Sequence, residues 1–147
     1  MITVLLADDH TLVRDALCYL LEAQGDIKIV ATAADGQEAV EQAMLLCPDV
    51  AVLDISMPRM DGIEAARRIC GACAHTRIVM LTIYHTAEHV RHALQAGASG
   101  FVLKDAAGQE LVAAVRTLHE GGSYFSSKID KLVEDLKRDR GKNTSDN

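Results

Sequence analysis

The chain has 147 residues, 49% of them apolar and 24% charged, which is material for one domain with a real core. Its formal net charge of −6 argues against nucleic-acid binding through bulk charge. No apolar run approaches the roughly 18–20 residues that span a bilayer, and the chain opens directly on a strand pattern with no signal-peptide pattern before it. A cytoplasmic location with no membrane attachment is the expectation.

The first element is the apolar run Ile2–Ala7, closed by two adjacent carboxylates, Asp8 and Asp9. A helical period follows over about Thr11–Gln24, with Leu12, Ala16, Tyr19 and Leu20 on one face, and it stops before Gly25. Ile27–Ala33 is the second strand run. Asp35 is the expected N-cap of a helix over Gly36–Leu46 that stops at Pro48. The third run, Val50–Leu53, is again closed by an acid, Asp54. Asp61 caps a helix over about Gly62–Cys70. The fourth run, Ile78–Leu81, leads to Thr82 and to a helix over about Ala87–Ala96. The fifth, Phe101–Leu103, leads to Lys104 and to a helix over about Ala107–Glu120.

The runs are short and continuous, as strands covered on both faces should be. Five alternations of strand and helix with short links predict an α/β fold with a parallel sheet, right-handed crossovers and helices on both faces. Such sheets bind ligands beyond the carboxyl ends of their strands. Asp8, Asp9, Asp54, Thr82 and Lys104 all stand at, or one residue past, a strand end, so four strands aim polar groups at one edge. Clustered carboxylates repel one another unless a hard cation sits among them. The pattern points to a metal ion beside one reactive aspartate, which is phosphoryl-transfer chemistry. Any one of these residues alone reads as a cap, a turn former or a solvated lysine; their conjunction carries the functional reading.

Beyond Gly122, Ser123–Ser127 reads as a connector, Ile129–Arg140 as a sixth helix with an apolar stripe of Ile129, Leu132, Val133 and Leu136, and Gly141–Asn147 as a disordered polar tail. Within Lys128–Lys142 the basic residues Lys128, Lys131, Lys137, Arg138, Arg140 and Lys142 are offset by Asp130, Glu134, Asp135 and Asp139, which leaves little for DNA phosphates.

Two further groups have weaker claims. Cys70-Gly71-Ala72-Cys73 has C-x-x-C spacing but follows a helix instead of opening one, and Cys18 and Cys47 stand alone in sequence. The four cysteines therefore read as small buried apolar residues. His85, His89 and His92 have metal-capable spacing, yet no H-E-x-x-H pattern appears, so an exposed polar face is expected, with His85 just before the helix.

Asp8-Asp9, Asp54-x-x-Met57-Pro58-x-Met60-Asp61-Gly62, Thr82 and Lys104, in this order and spacing, resemble the receiver domain of two-component response regulators over residues 1–122. Asp8-Asp9-His10, Ala34-Asp35-Gly36 and the stretch from Gly97 to Asp105 resemble its NarL/LuxR (FixJ-related) subfamily. The resemblance implies a flavodoxin-like (CheY-like), doubly wound, five-stranded parallel sheet of order 2-1-3-4-5. It also implies a signalling module rather than a turnover enzyme. Residues 123–147 would then be a linker helix and tail, with the subfamily's helix-turn-helix DNA-binding domain absent.

Carried over by position, Asp54 would be the phosphoacceptor, phosphorylated by a sensor histidine kinase. Asp9, Asp54 and the Ser56 backbone carbonyl would hold Mg²⁺, with Asp8 acting through water. Thr82 and Lys104 would contact the phosphoryl oxygens, and Thr82 with Phe101 would form the conformational switch. A phosphorylation-dependent homodimer is implied, through the first and fifth helices or through the fourth helix with the fifth strand. DNA binding would belong to a full-length protein controlling transcription, not to this fragment; a stand-alone receiver acting through protein contacts is the alternative. Ser56 and Tyr84 occupy positions that modulate dephosphorylation in the family, and Ile83 is bulkier than the residue usual after Thr82. A haloacid dehalogenase-type phosphohydrolase would want an acid where Ser56 stands. A flavodoxin-like FMN carrier would not place Asp8-Asp9 against a phosphate.

Overall fold

The computed structural model describes residues 1–83 and 86–145; Tyr84, His85 and the last two residues lie outside the described residues, and with them the expectations for Tyr84 and His85. Along the chain run β1 (Ile2–Ala7), α1 (Thr11–Glu22), β2 (Ile27–Ala33), α2 (Gly36–Leu46), β3 (Val50–Asp54), α3 (Gly62–Ala72), β4 (Arg77–Thr82), α4 (Ala87–Gln95) and β5 (Gly100–Leu103). A single 3-10 turn (Lys104–Ala106), α5 (Ala107–His119), β6 (Tyr124–Phe125) and α6 (Ser127–Ser145) follow. The sheet is parallel throughout, with strand order β2-β1-β3-β4-β5-β6.

The flavodoxin-like α/β layering is as expected, with one strand more than the sequence pattern predicts. Tyr124-Phe125 lies inside the expected connector, but its backbone pairs with the outer edge of β5, Gly100 against Tyr124 and Phe101 against Phe125. Two residues are too short to show a period. What makes them a strand is the open edge of β5, where unpaired backbone groups recruit the next extended segment.

Two hydrophobic layers sandwich the sheet. One buries Leu5, Leu53, Met80 and Phe101 under α2, α3, α4 and α6; the other buries Val4, Val52, Val79, Leu81 and Val102 under α1 and α5. The two layers take alternate residues of the same strands, which is why the strand runs are apolar without interruption. Asp35 and Asp61 cap α2 and α3 as expected, each accepting the backbone N–H three residues on, from Glu38 and Glu64, at 2.8 Å.

The face of α1 differs from expectation. Leu17 and Leu21 are its buried residues, while Leu12 is 86% and Tyr19 81% exposed. The helix carries two apolar stripes of similar width, and periodicity alone does not say which one the sheet takes. Helix α6 begins at Ser127 and continues to Ser145, past the Arg140 end expected from the sequence. Its stripe packs on this same chain: Ile129 and Val133 are buried with Phe101, Val90 and Ala93 in the first layer, and Leu132 and Leu136 border them. Among the described residues no helix is long and apolar enough to cross a membrane.

Candidate functional site

Strand register brings the strand-end residues together. Ala7 pairs with Leu53, so Asp8 and Asp54 leave neighbouring strands at the same level. Asp54 pairs with Leu81 and Thr82 with Leu103, which sets Thr82 one residue and Lys104 two residues further along the same edge. Each aspartate is fixed by its own loop. Asp8 Oδ1 accepts the His10 backbone N–H at 2.9 Å, and Asp54 Oδ1 accepts that of Ser56 at 3.2 Å. The loop after β3 is tied at both ends, by Ile55 N–H to the Leu81 carbonyl and by Gly62 N–H to the Ile55 carbonyl.

Lys104 reaches across this edge. Its Nζ donates to Asp54 Oδ2 at 2.9 Å and to Asp8 Oδ1 at 3.4 Å, and it lies 3.2 Å from Asp8 Oδ2, in ion-pair range but outside hydrogen-bond geometry. Asp8 and Asp54 are both buried, and so is Thr82 at the end of β4. Burial pushes the Asp54 carboxyl up to about 6 against the lowering hydrogen bond from Lys104, and the charge of Asp8 adds to the rise. For Lys104 burial opposes the ammonium, but its hydrogen bonds and charge contacts with Asp54 and Asp8 outweigh that and hold it above the usual lysine value.

The donor set fits a hard divalent cation. Asp8, Asp9, His10 and Asp54 each bring a ligand atom to within 4.8 Å of the others, three of them carboxylate oxygens. Asp8 Oδ2 is buried and, beside its ion pair with Lys104, has no hydrogen bond among the described residues, which a cation's bound water would supply. His10 is the participant the sequence reading passed over. Its Nδ1 stands 3.3 Å from Asp8 Oδ1 and 3.2 Å from Asp9 Oδ1, and its position directly after the acid pair was the available signal. His89 and His92 do not join this cluster. They line an open groove beside it, with Asp9, Ser56, Met57 and Asp61. Phe101 sits away from the acids, fully buried in the core.

A family model described as the response regulator receiver domain matches residues 4–116. The chain belongs to the response regulator receiver family. Receiver domains of this family are signalling modules, and this one is of the LuxR/NarL kind. It is 37% identical to the oxygen regulatory protein NreC of Staphylococcus aureus over 149 residues, covering 97% of this chain and 68% of NreC. It is 40% identical to NreC of Staphylococcus haemolyticus over 127 residues, covering 86% of this chain and 58% of that one. Among solved structures, a LuxR-family two-component response regulator from Aurantimonas sp. superposes with a TM-score of 0.87 at 32% identity, over 93% of this chain and 98% of that one. The signal receiver domain of NarL from Mycobacterium tuberculosis superposes at 0.78 with 37% identity, over 82% and 97%. The receiver chain thus spans only part of the NreC proteins it resembles.

Proposed function

We propose that this receiver is a cytoplasmic phosphorylation switch in which Asp54 takes a phosphoryl group from the phosphohistidine of a sensor kinase. The observation that carries this is the buried Asp54 carboxylate at the end of the central strand, bridged by Lys104 and flanked by Asp8 and Asp9. An Asp54 oxygen attacks phosphorus as the bond to the histidine nitrogen breaks, and the electron pair leaves with the imidazole. Phosphoryl transfer requires positioning and charge neutralisation above all. Lys104 moves from its carboxylate partners to a phosphoryl oxygen, and Thr82 donates its hydroxyl to another. Asp9, Asp54 and the Ser56 carbonyl would hold Mg²⁺, with Asp8 acting through water, and the ion would supply the rest of the neutralisation.

Acetyl phosphate with Mg²⁺ should add about 80 Da, the mass of one phosphoryl group. Chelation should prevent the addition, and Asp54→Asn should abolish it. An adduct that persists on the Asp54→Asn protein would mean another acceptor.

The output we assign is a phosphorylation-dependent dimer that, in a longer protein, would control a DNA-binding domain; residues 1–122 form the switching unit and 123–147 its extension. Of the two faces the resemblance implies, α1 with α5 is favoured. β6 occupies the outer edge of β5 and α6 packs on α4, whereas α1, the neighbour of α5, carries Leu12 and Tyr19 exposed. Because Phe101 is already buried beneath the α4–α6 layer, the Thr82–Phe101 switch would act by shifting α4 and α6. Sedimentation with the phosphoryl mimic beryllofluoride should show dimers, and Leu12→Arg with Tyr19→Arg should weaken them at least tenfold. Dimers unaffected by those substitutions would place the contact elsewhere.

A further inference from the structure

Cys47 and Cys73 are 26 positions apart in sequence, yet their Sγ atoms lie 2.7 Å apart, less than an ångström beyond the ~2.05 Å of a formed disulfide. Each thiol is held by a fixed backbone. Cys47 is the C-cap of α2, in the left-handed region at φ 40°, with its N–H bonded to the Ala43 carbonyl at 2.7 Å and its own carbonyl 3.0 Å from His75 Nε2. Cys73 is the C-cap of α3, with its N–H bonded to the Ile69 carbonyl at 2.8 Å and its thiol 3.4 Å from the Ala43 carbonyl. The C-x-x-C spacing is therefore misleading: Cys70 turns the other way, with Sγ 3.8 Å from the Gly97 carbonyl. Cys18 lies in the opposite layer of the sandwich.

We propose that Cys47 and Cys73 form a reversible disulfide that staples the C-terminal ends of α2 and α3, at the end of the sheet away from Asp54. A metal site would need further ligands. Among the described residues the group of metal-capable side chains is the one at Asp8, Asp9, His10 and Asp54. With a peroxide as oxidant, the half-buried Cys47 thiol takes one oxygen to become a sulfenic acid and releases water. The Cys73 sulfur then attacks the Cys47 sulfur, forming the S–S bond and releasing a second water. A thiol reductant reverses the bond by exchange. Burial, with the neighbouring Cys47 adding to it, pushes the Cys73 thiol up to about 11, so closure speeds up as pH rises from neutrality. The bond encloses all of β3, the Asp54 loop and α3, so it removes freedom from the unfolded chain while leaving the folded one nearly unmoved.

The test uses the full chain treated with hydrogen peroxide and then digested without reduction. The intact mass should fall by about 2 Da, the two hydrogens lost as an S–S bond forms. Two of the four thiols should remain titratable, and one peptide should join Cys47 to Cys73. The melting temperature should rise by roughly 5–10 °C and return on reduction. A protein carrying Cys18→Ser and Cys70→Ser should likewise lose about 2 Da, keep no titratable thiol and show the same rise in melting temperature, which keeps the test informative if Cys47→Ser or Cys73→Ser fails to fold. A Cys70–Cys73 bond, stable sulfenic or sulfinic acid on Cys47 alone, or four unchanged thiols would each overturn the proposal.

Discussion

Gly62→Ala should destabilise this receiver by about 3 kcal/mol or more, and in whatever still folds it should slow phosphoryl loading by roughly a hundredfold. A β-carbon on Gly62 would lie 2.1 Å from the Asp54 carbonyl oxygen and 2.8 Å from its carbonyl carbon, deep inside contact distance and against backbone that cannot swing aside. The first turn of α3 therefore rests directly on the peptide of Asp54. Relieving the clash means moving either the helix or the end of β3. Helix α3 is anchored by the buried Ala65, Ala66 and Ile69, and β3 is hydrogen-bonded on both sides, so both responses are costly. Gly36 makes the same kind of approach, since a β-carbon there would lie 2.0 Å from the Met60 carbonyl oxygen, so α2 and α3 both close on the loop that follows Asp54. Gly71 is the internal control. It lies in the same helix, a β-carbon there would meet nothing beyond its own helix within 4 Å, and Gly71→Ala should be neutral or stabilise by up to about 1 kcal/mol. Thermal melts with acetyl phosphate labelling of both variants check this. Equal effects from the two substitutions would mean that helix propensity, not the contact with Asp54, sets the response.

That contact shows why part of the site was legible in sequence and part was not. Asp8, Asp54, Thr82 and Lys104 share one sheet edge, as expected, because each follows a strand run, and parallel strands in register deliver their ends to one edge whatever the details of packing. Asp35 and Asp61 were legible as caps because capping is local chemistry over three residues. Features that depend on a choice between near-equal alternatives were not legible. The sheet accepts the Leu17–Leu21 stripe of α1 and leaves Leu12 and Tyr19 outside, though either stripe fits a helical period. β6 exists through the edge of β5, not through any pattern in Tyr124-Phe125. The approach of Cys47 to Cys73 is set by how α2 and α3 lie against each other, which spacing along the chain does not encode.

Ile129→Ala should cost about 2–4 kcal/mol measured at α6, and the size of the global loss will report whether α6 folds with the receiver or merely rests on it. Ile129 is completely buried, and with Val133 it forms the buried line of α6 against the layer that holds Val90, Ala93 and Phe101. Leu132 and Leu136 flank that line, while the intervening Asp130, Lys131, Glu134 and Asp135 are exposed. A terminal helix can undock without unfolding the sheet, so the global loss is capped at the free energy of docking. If docking is worth less than the cavity left by Ile129→Ala, the harsher Ile129→Asp will lower the melting temperature no further than Ile129→Ala does. Both variants will then expose Lys128 and Lys131 to trypsin while the sheet remains protected. If α6 is an integral layer, Ile129→Asp will cost far more than Ile129→Ala, and protection will be lost everywhere at once. The burial of Ile129 and Val133 beside Phe101 favours the integral layer. Trypsin sensitivity confined to α6 would overturn that expectation. It would also free the face of α4 as an alternative dimer contact, since α6 is what covers it.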